Sequence, residues 1–516
     1  MKKILYILSF TLLSASCNWL AITPENAIDE DDLFTTGYGF RNALNGIYLE
    51  MGSTDLYGEN LSWGFLSAVA QEYLTDDSYV GSYSMQSSKD AANFVYNSAT
   101  TQSVIQSIWE RQYSIIANLN KVISHIDGLD KSEFTYGEEE RSLIKAEAYA
   151  LRAMLHFDLL RLFAPAPSTN PSGTYIPYRE QFGPQIGEKL SVISFIEKCL
   201  KDIAVAEPLL KHFDTEFHPE AMYASMMNSV TPTWNSRYRL DCKTYIDEMG
   251  EFFWFRGWRM NYMSLLALKA RVCMYAGGSY KTLARSAAKA LYDDFYTTKG
   301  WIGFNSEDEI TCNSDLRHFK LGTDVMFAAY NKNLAVDYDA GLYGSDNNVR
   351  YPLANIETLF ATDNTGLYSD YRFTYILKST NAVNKAYYTG KWSVSAEAVV
   401  EALENPMVPL FRFSEICYML AELSAENGKY DEAIQYLSDV RQARGAERSI
   451  TASTKESMLD EIITEFRKDM MTEGQVFYLY KRLNMQKIQS STNPGTEVQM
   501  RAANYVLPIP TSESPF

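Results

Sequence analysis

Apolar residues recur at helical spacing over most of this chain, most densely between Arg141 and Phe163. There they nearly encircle the helix, and Ala146, Ala148, Ala150 and Ala153 leave room for close neighbours, the pattern of a helix buried among others. Pro165 and Pro167 end it. From Glu415 to Glu426, Ile416, Met419, Leu420 and Leu423 share one face. Asn427-Gly428-Lys429 breaks that helix, with Gly428 suited to positive φ. Asp431 is placed to cap a second helix carrying Ala433, Leu437 and Val440, which Gly445 ends. This pair, within Pro409–Asn484, fits the 34-residue helix–turn–helix repeat of tetratricopeptide type: Leu420 and Ala421 take first-helix packing positions and Ala433 is the small second-helix residue. The consensus Trp, Gly and final Pro are absent. Helical pattern covers about 40–60, 105–163, 190–210, 259–276 and 415–484.

Periodicity dissolves into Tyr, Asn, Asp, Gly and Ser over residues 74–101, 212–254 and 296–408, with short strand-like runs such as Tyr371–Leu377. The expected fold is mainly α, a helical repeat scaffold with long loop-rich insertions and a few short strands. Insertions on one face of such a scaffold form its binding side. Tyr79, Tyr83, Trp234, Trp301, Tyr338, Tyr343 and Trp392 stand in those polar surroundings and are candidate ligand platforms, with Asn347 and Arg350 as polar partners. Aromatic faces suit the C–H surfaces of sugars while polar side chains bond hydroxyls. Trp109, Tyr113, Tyr149, Phe157, Phe163 and Tyr418 sit at helical spacing and are expected in the core.

Length and composition sharpen this. A chain of 516 residues, 46% hydrophobic, buries a large core, and a net charge of −17 excludes nucleic acid as a partner. At the N-terminus, Lys2-Lys3, the apolar run Ile4–Leu13 and Ser14-Ala15-Ser16 precede Cys17. This reads as a lipoprotein signal over 1–16, with lipid on Cys17 and a single domain from 17 to 516. Cys199, Cys242, Cys273, Cys312 and Cys417 include no C-x-x-C and suggest no pairing. Five histidines form no zinc motif, and no nucleophile elbow or phosphate loop occurs. Asp337-Tyr338-Asp339-Ala340-Gly341 is like part of a calcium loop, but position twelve is Asn348 and the Gly is misplaced, so it reads as a turn. No catalytic residue and no cofactor are expected, with loop-bound Ca2+ the one metal alternative. A glycosidase carboxylate pair stays open among the many Asp and Glu.

Several segments together resemble the SusD/RagB family of surface lipoproteins. They are Cys17, Leu44-Asn45-Gly46-Ile47-Tyr48, Trp109 with Tyr113, Ile116, Ala117 and Asn118, and the run from Lys145 to Phe163. Leu268–Tyr275, Pro409–Glu415 with Leu420-Ala421-Glu422, Glu465-x-Arg467-Lys468-Asp469 with Glu473-Gly474, and Leu507-Pro508-Ile509-Pro510 complete the match. Phe466 and Leu479 depart from the family pattern. The resemblance implies a helical-repeat protein without enzymatic activity, anchored at the cell surface on the outer membrane. It would bind an oligosaccharide, or in RagB-type members a peptide, and pass it to a SusC-like TonB-dependent barrel transporter. A surface glycoside hydrolase or peptidase and a purely structural adaptor are the rivals from other classes.

Overall fold

The computed structural model describes residues 33–75, 85–185, 187–222, 251–253, 255–313, 317–342, 349–360, 369–380, 386–392, 404–446 and 448–513. Cys17, Tyr79, Tyr83, Trp234, Tyr343 and Asn347 lie outside them. The helices are α1 (Gly37–Met51), α2 (Phe65–Val69), α3 (Gln86–Ala92), α4 (Ala99–Ile126), α5 (Gly137–Phe163) and α6 (Val192–His212). Then come α7 (Tyr262–Ala276), α8 (Tyr280–Lys289), α9 (Glu307–Thr311), α10 (Leu334–Leu342) and α11 (Ile356–Phe360). The C-terminal set is α12 (Phe413–Glu426), α13 (Tyr430–Ala443), α14 (Lys455–Asp469) and α15 (Gln475–Arg482). Each scaffold helix packs on the next: α4 on α5, α5 on α6, α6 on α7, α7 on α8, α8 on α12, and α12 on both α13 and α14. That is the predicted repeat stack.

Local chemistry sets the helix ends. Ser98, Ser191 and Asn261 accept N–H bonds at the starts of α4, α6 and α7. Glu138, Glu139 and Glu140 fill the first turn of α5, where the helix dipole favours negative charge. Gly428 takes φ 70 as expected. Gly474, at φ 73, is required for another reason: a Cβ there would lie 2.0 Å from the Leu61 carbonyl oxygen, so glycine alone lets α15 approach the 56–64 segment.

The loop-rich regions hold more regular structure than expected. Residues 74–101 contain α3 and the start of α4, because Gln86–Ala92 is too short for its period to stand out. Residues 280–298, outside every predicted helix, form α8 and a wider-turned continuation, Ala290–Thr298. Tyr371–Leu377 is not a strand: Arg372–Ile376 is one wide helical turn, followed by a strand at Leu377–Ser379. Asp337–Gly341 is helical within α10, not a turn, so its side chains radiate instead of converging as a calcium loop requires. Asp431 lies in the first turn of α13, whose cap position is Lys429.

Pro409–Arg412 belongs to a strand, Met407–Arg412, paired antiparallel with Val325–Tyr330. All six residues of Met407–Arg412 are buried, and Pro409 is tolerated because the register shifts between Phe327 and Ala328, beside it. This strand pair ties the excursion to the start of α12.

A buried ionic network completes the attachment. Arg412 bonds Glu473 at 2.7 Å and Asp324 at 2.6 Å, and Arg444 bonds Asp324 at 2.5 Å and Asp469 at 2.8 Å. Arg372 bonds Asp370 at 2.7 Å and Glu465 at 2.5 Å. Lys391 donates to Glu473 at 2.6 Å and to the Asp469 carbonyl at 2.7 Å. All are buried, so charge is balanced by charge in a space closed to water.

Candidate ligand-binding face

The segments that flank residues 76–84 and 343–348 are stitched together, and so is the strand preceding 393–400. Leu74 N–H donates to the Pro352 carbonyl at 2.7 Å, Ala354 N–H to that of Glu72 at 2.8 Å, and Leu353 N–H to that of Tyr387 at 2.7 Å. The Tyr351 hydroxyl reaches Met85 Sδ at 3.2 Å, so Leu74 and Met85 are both tied to the 351–354 segment. Ser491 N–H and Asn355 Nδ2 extend the stitching to Gln71 and the Ser490 carbonyl.

Beneath lies an aromatic floor. Trp63 meets Tyr338 edge-on at 5.1 Å and Tyr351 at 5.4 Å, and Tyr73 meets Tyr351 at 5.2 Å. The Trp63 indole donates to the Gly58 carbonyl and the Tyr73 hydroxyl to that of Trp63, which fixes the rings. Rings held this way give a rigid base.

Two candidate platforms need correction. Tyr338 is 0% exposed and Trp392 is 1% exposed, so neither offers a face to ligand. Tyr338 is a floor ring, and Trp392 is locked by its indole N–H to Thr472 Oγ1 at 2.8 Å. Both stand among polar residues in the sequence, yet tertiary packing buries the rings. Trp301 is half-buried and lies elsewhere, 5.5 Å from the Phe295 ring with Lys299 Nζ 4.5 Å from its own ring. Arg350 adjoins the floor next to Tyr351, and its Nε is buried with no hydrogen-bond partner among the described residues. The structure therefore brings Tyr338 and Arg350 to the same floor ring, Tyr351, while Trp301 packs on Phe295 and Trp392 is held by Thr472. Trp63, Tyr73 and Tyr351 are missing from the sequence candidates. The available signal was that Tyr73 borders the first polar run and Tyr351 lies within the last.

Carboxylates line the same region. Burial, then Asp337 and Asp55, push the Glu59 carboxyl up to about 7. Burial also raises Glu72 to about 7, against the pull of Ser67 and the Thr472 N–H. Among the described residues no group of three or more His, Cys, Asp or Glu is placed to hold a metal ion. A raised carboxyl binds its proton more tightly in the folded state. Its stabilising effect is complete below the unfolded value of 4.5 and is lost as pH rises toward 7. Glu72→Gln is therefore expected to be more stable than the parent above about pH 8 by about 3 kcal/mol, with little difference at about pH 4. Urea melts across that range test this, and a pH-independent difference would refute it.

The family description "SusD family" matches residues 288–514, and "Starch-binding associating with outer membrane" matches residues 64–227. SusD-like protein P2 of Formosa agariphila is 26% identical over 170 residues, which is 32% of this chain and 31% of that protein. SusD-like protein P38 of the same organism is 20% identical over 93% of this chain and 90% of its own length. Among solved structures, a SusD superfamily protein from Bacteroides thetaiotaomicron superposes with TM-score 0.67 at 20% identity, covering 93% of this chain and 97% of that one. A SusD-like carbohydrate binding protein from Bacteroides vulgatus gives TM-score 0.65 at 17% identity, covering 93% and 96%. The helical stack, the strand joining it to the excursions and the paired family matches lead to one assignment: the chain belongs to the SusD-like family.

Proposed function

We propose that this protein is a non-catalytic surface lipoprotein that captures an oligosaccharide and delivers it to a SusC-like TonB-dependent transporter. Lipid on Cys17 holds it at the outer membrane. The observation that carries the reading is the stitched face over Trp63, Tyr73, Tyr338 and Tyr351, where the flanks of 76–84 and 343–348 meet. A rigid base of this kind lowers the entropy cost of presenting a binding surface. Tyr79, Tyr83, Tyr343 and Asn347 belong to the runs bordered by that base, and Arg350 supplies a guanidinium with an unspent Nε. The name of the second family match, and that of the B. vulgatus carbohydrate binding protein, favour a glycan ligand. The reading needs no cofactor.

A glycan array probed with the chain from residue 18 onward is expected to show one class of bound polysaccharide. Tyr79→Ala with Tyr83→Ala, and Arg350→Ala separately, should each weaken retardation in a gel containing that glycan by about tenfold, with unchanged melting temperature. Trp234→Ala and Trp301→Ala test the remaining candidates in the same gel. Binding of peptides but no glycan would replace this reading with the RagB-type one. Release of reducing sugar by the pure protein would replace it with a hydrolase.

A further inference from the structure

A second concavity lies on the scaffold, lined by none of the residues of the stitched face. It has a volume of about 310 Å3 between α4 and the Pro177–Gly183 segment, with Glu513 at its rim. It meets a second hollow of about 450 Å3 at Glu110 and Ser114, so that one groove runs along α4. The first end is aromatic. Trp109 and Tyr113 have ring centroids 4.8 Å apart, and Phe182 stands 55% exposed at the edge. The second end is polar, lined by Ser103, Gln106, Ser107 and Arg111.

The aromatic end is held in shape before any ligand arrives. The Trp109 ring packs on Phe163 at 4.8 Å, and the Tyr113 hydroxyl donates to the Pro177 carbonyl at 2.9 Å. Arg179 N–H donates to His156 Nε2 at 2.9 Å, while His156 Nδ1 bonds the Arg152 carbonyl at 2.9 Å. Burial, then Arg152, keep that imidazole neutral, as an accepting Nε2 requires. Asn120 Nδ2 reaches the Arg179 carbonyl at 3.0 Å, and Lys121 Nζ sits 4.0 Å from the Phe182 ring. Thus Tyr113, expected in the core, is a half-buried wall.

We infer that this groove is a second oligosaccharide site, with one pyranose against Tyr113 and Phe182 and the next residues among the hydroxyl, amide and charged side chains toward Ser103. A volume near the lower bound of small-molecule sites, roughly 300–1,000 Å3, suits one or two sugar rings at the aromatic end. Phe182 gives an apolar face without helping to close the core. Gln181 and Ser114, which have no hydrogen-bond partner among the described residues, provide donors and acceptors for hydroxyls. Glu110 and Glu513 are offset by Arg111 and Arg179, so the lining carries no net charge and suits a neutral sugar. The inference rests on the glycan reading above.

Saturation-transfer NMR with maltohexaose, cellohexaose and xylohexaose on the purified protein tests it. Phe182→Ala is expected to weaken binding of the recognised sugar at this site about three- to tenfold with no change in melting temperature. Glu110→Gln, at an exposed helix position, should shift the sugar protons that receive saturation. Arg350→Ala should leave the Phe182-dependent signal intact. Equal signals from the parent and both groove variants would overturn the second site while leaving the glycan reading standing. No signal for any sugar with the parent would remove both. A Phe182-dependent signal from peptides instead would also overturn it.

Discussion

Asp469→Ala is expected to destabilise the protein by about 3–5 kcal/mol, the largest loss from any single carboxylate here, because it leaves buried guanidinium charge uncompensated. Asp469 accepts from Arg444 Nε at 2.8 Å and lies 3.4 Å from Arg372 Nη1. Burial opposes its charge, yet Arg444 and then Arg372 hold its carboxyl far below the usual carboxylate range. Glu465 is likewise lowered to about 2, burial being outweighed by Arg372 and Lys468. For depressed carboxyls the stabilisation is complete above the unfolded values and is lost progressively as pH falls from those values through the folded ones. The parent should therefore lose this stabilisation progressively below about pH 4.5, and the difference between parent and variant should shrink as the pH falls toward 2. Chemical denaturation of Asp469→Ala, Arg444→Ala and the double variant completes the test. The double should cost less than the sum, with a coupling of roughly 0.5–3 kcal/mol. Additive costs, or a single-variant loss under about 1 kcal/mol, would mean that the network is dispensable.

No reading of spacing could have found this network. Arg444 and Asp324 are 120 positions apart, and Arg412 and Glu473 are 61 apart. The scaffold was legible for the opposite reason: helix contacts repeat at three and four residues, so α4, α5, α6, α7 and α12 to α14 leave a periodic trace. Where an apolar run is short and continuous, the trace is ambiguous. Pro409-Leu410-Phe411 could open a helix or form a buried strand, and partner strand Val325–Tyr330 decides for the strand. The candidate site was legible in part. The polar aromatic runs marked where the stitched face lies, but not which rings close it. Tyr338 sits between Asp337 and Asp339, and only the helical turn of α10 shows that its ring faces Trp63. Tyr113 shows the converse: Trp109 is buried as expected, but helical spacing places Tyr113 beside it without saying that its ring is left half-covered.

Trp392→Ala is expected to lower stability by about 3–5 kcal/mol, which separates it from the other aromatic candidates. Its ring is almost fully enclosed, with Lys320 Nζ 5.4 Å from the centroid. Its indole N–H is bound to Thr472, a non-glycine residue at φ 61. Thr472 in turn donates its backbone N–H to Glu72 at 3.1 Å, next to the floor residue Tyr73. The indole thus links the strand ending at Thr389, the α14–α15 junction and the floor. Removing it opens a large void and leaves the Thr472 conformation less determined. Trp392→Phe keeps most of the volume and should cost about 1–2 kcal/mol, the part due to the lost hydrogen bond and the smaller ring. Thermal melts of Trp392→Ala, Trp392→Phe and Trp301→Ala should therefore fall in that order, with Trp301→Ala least affected. If glycan retardation weakens in Trp392→Ala, it should do so in step with the lost stability and recover in Trp392→Phe. A Trp392→Ala protein that melts like its parent but no longer binds glycan would instead make this ring part of the ligand surface, reached through an opening of the face.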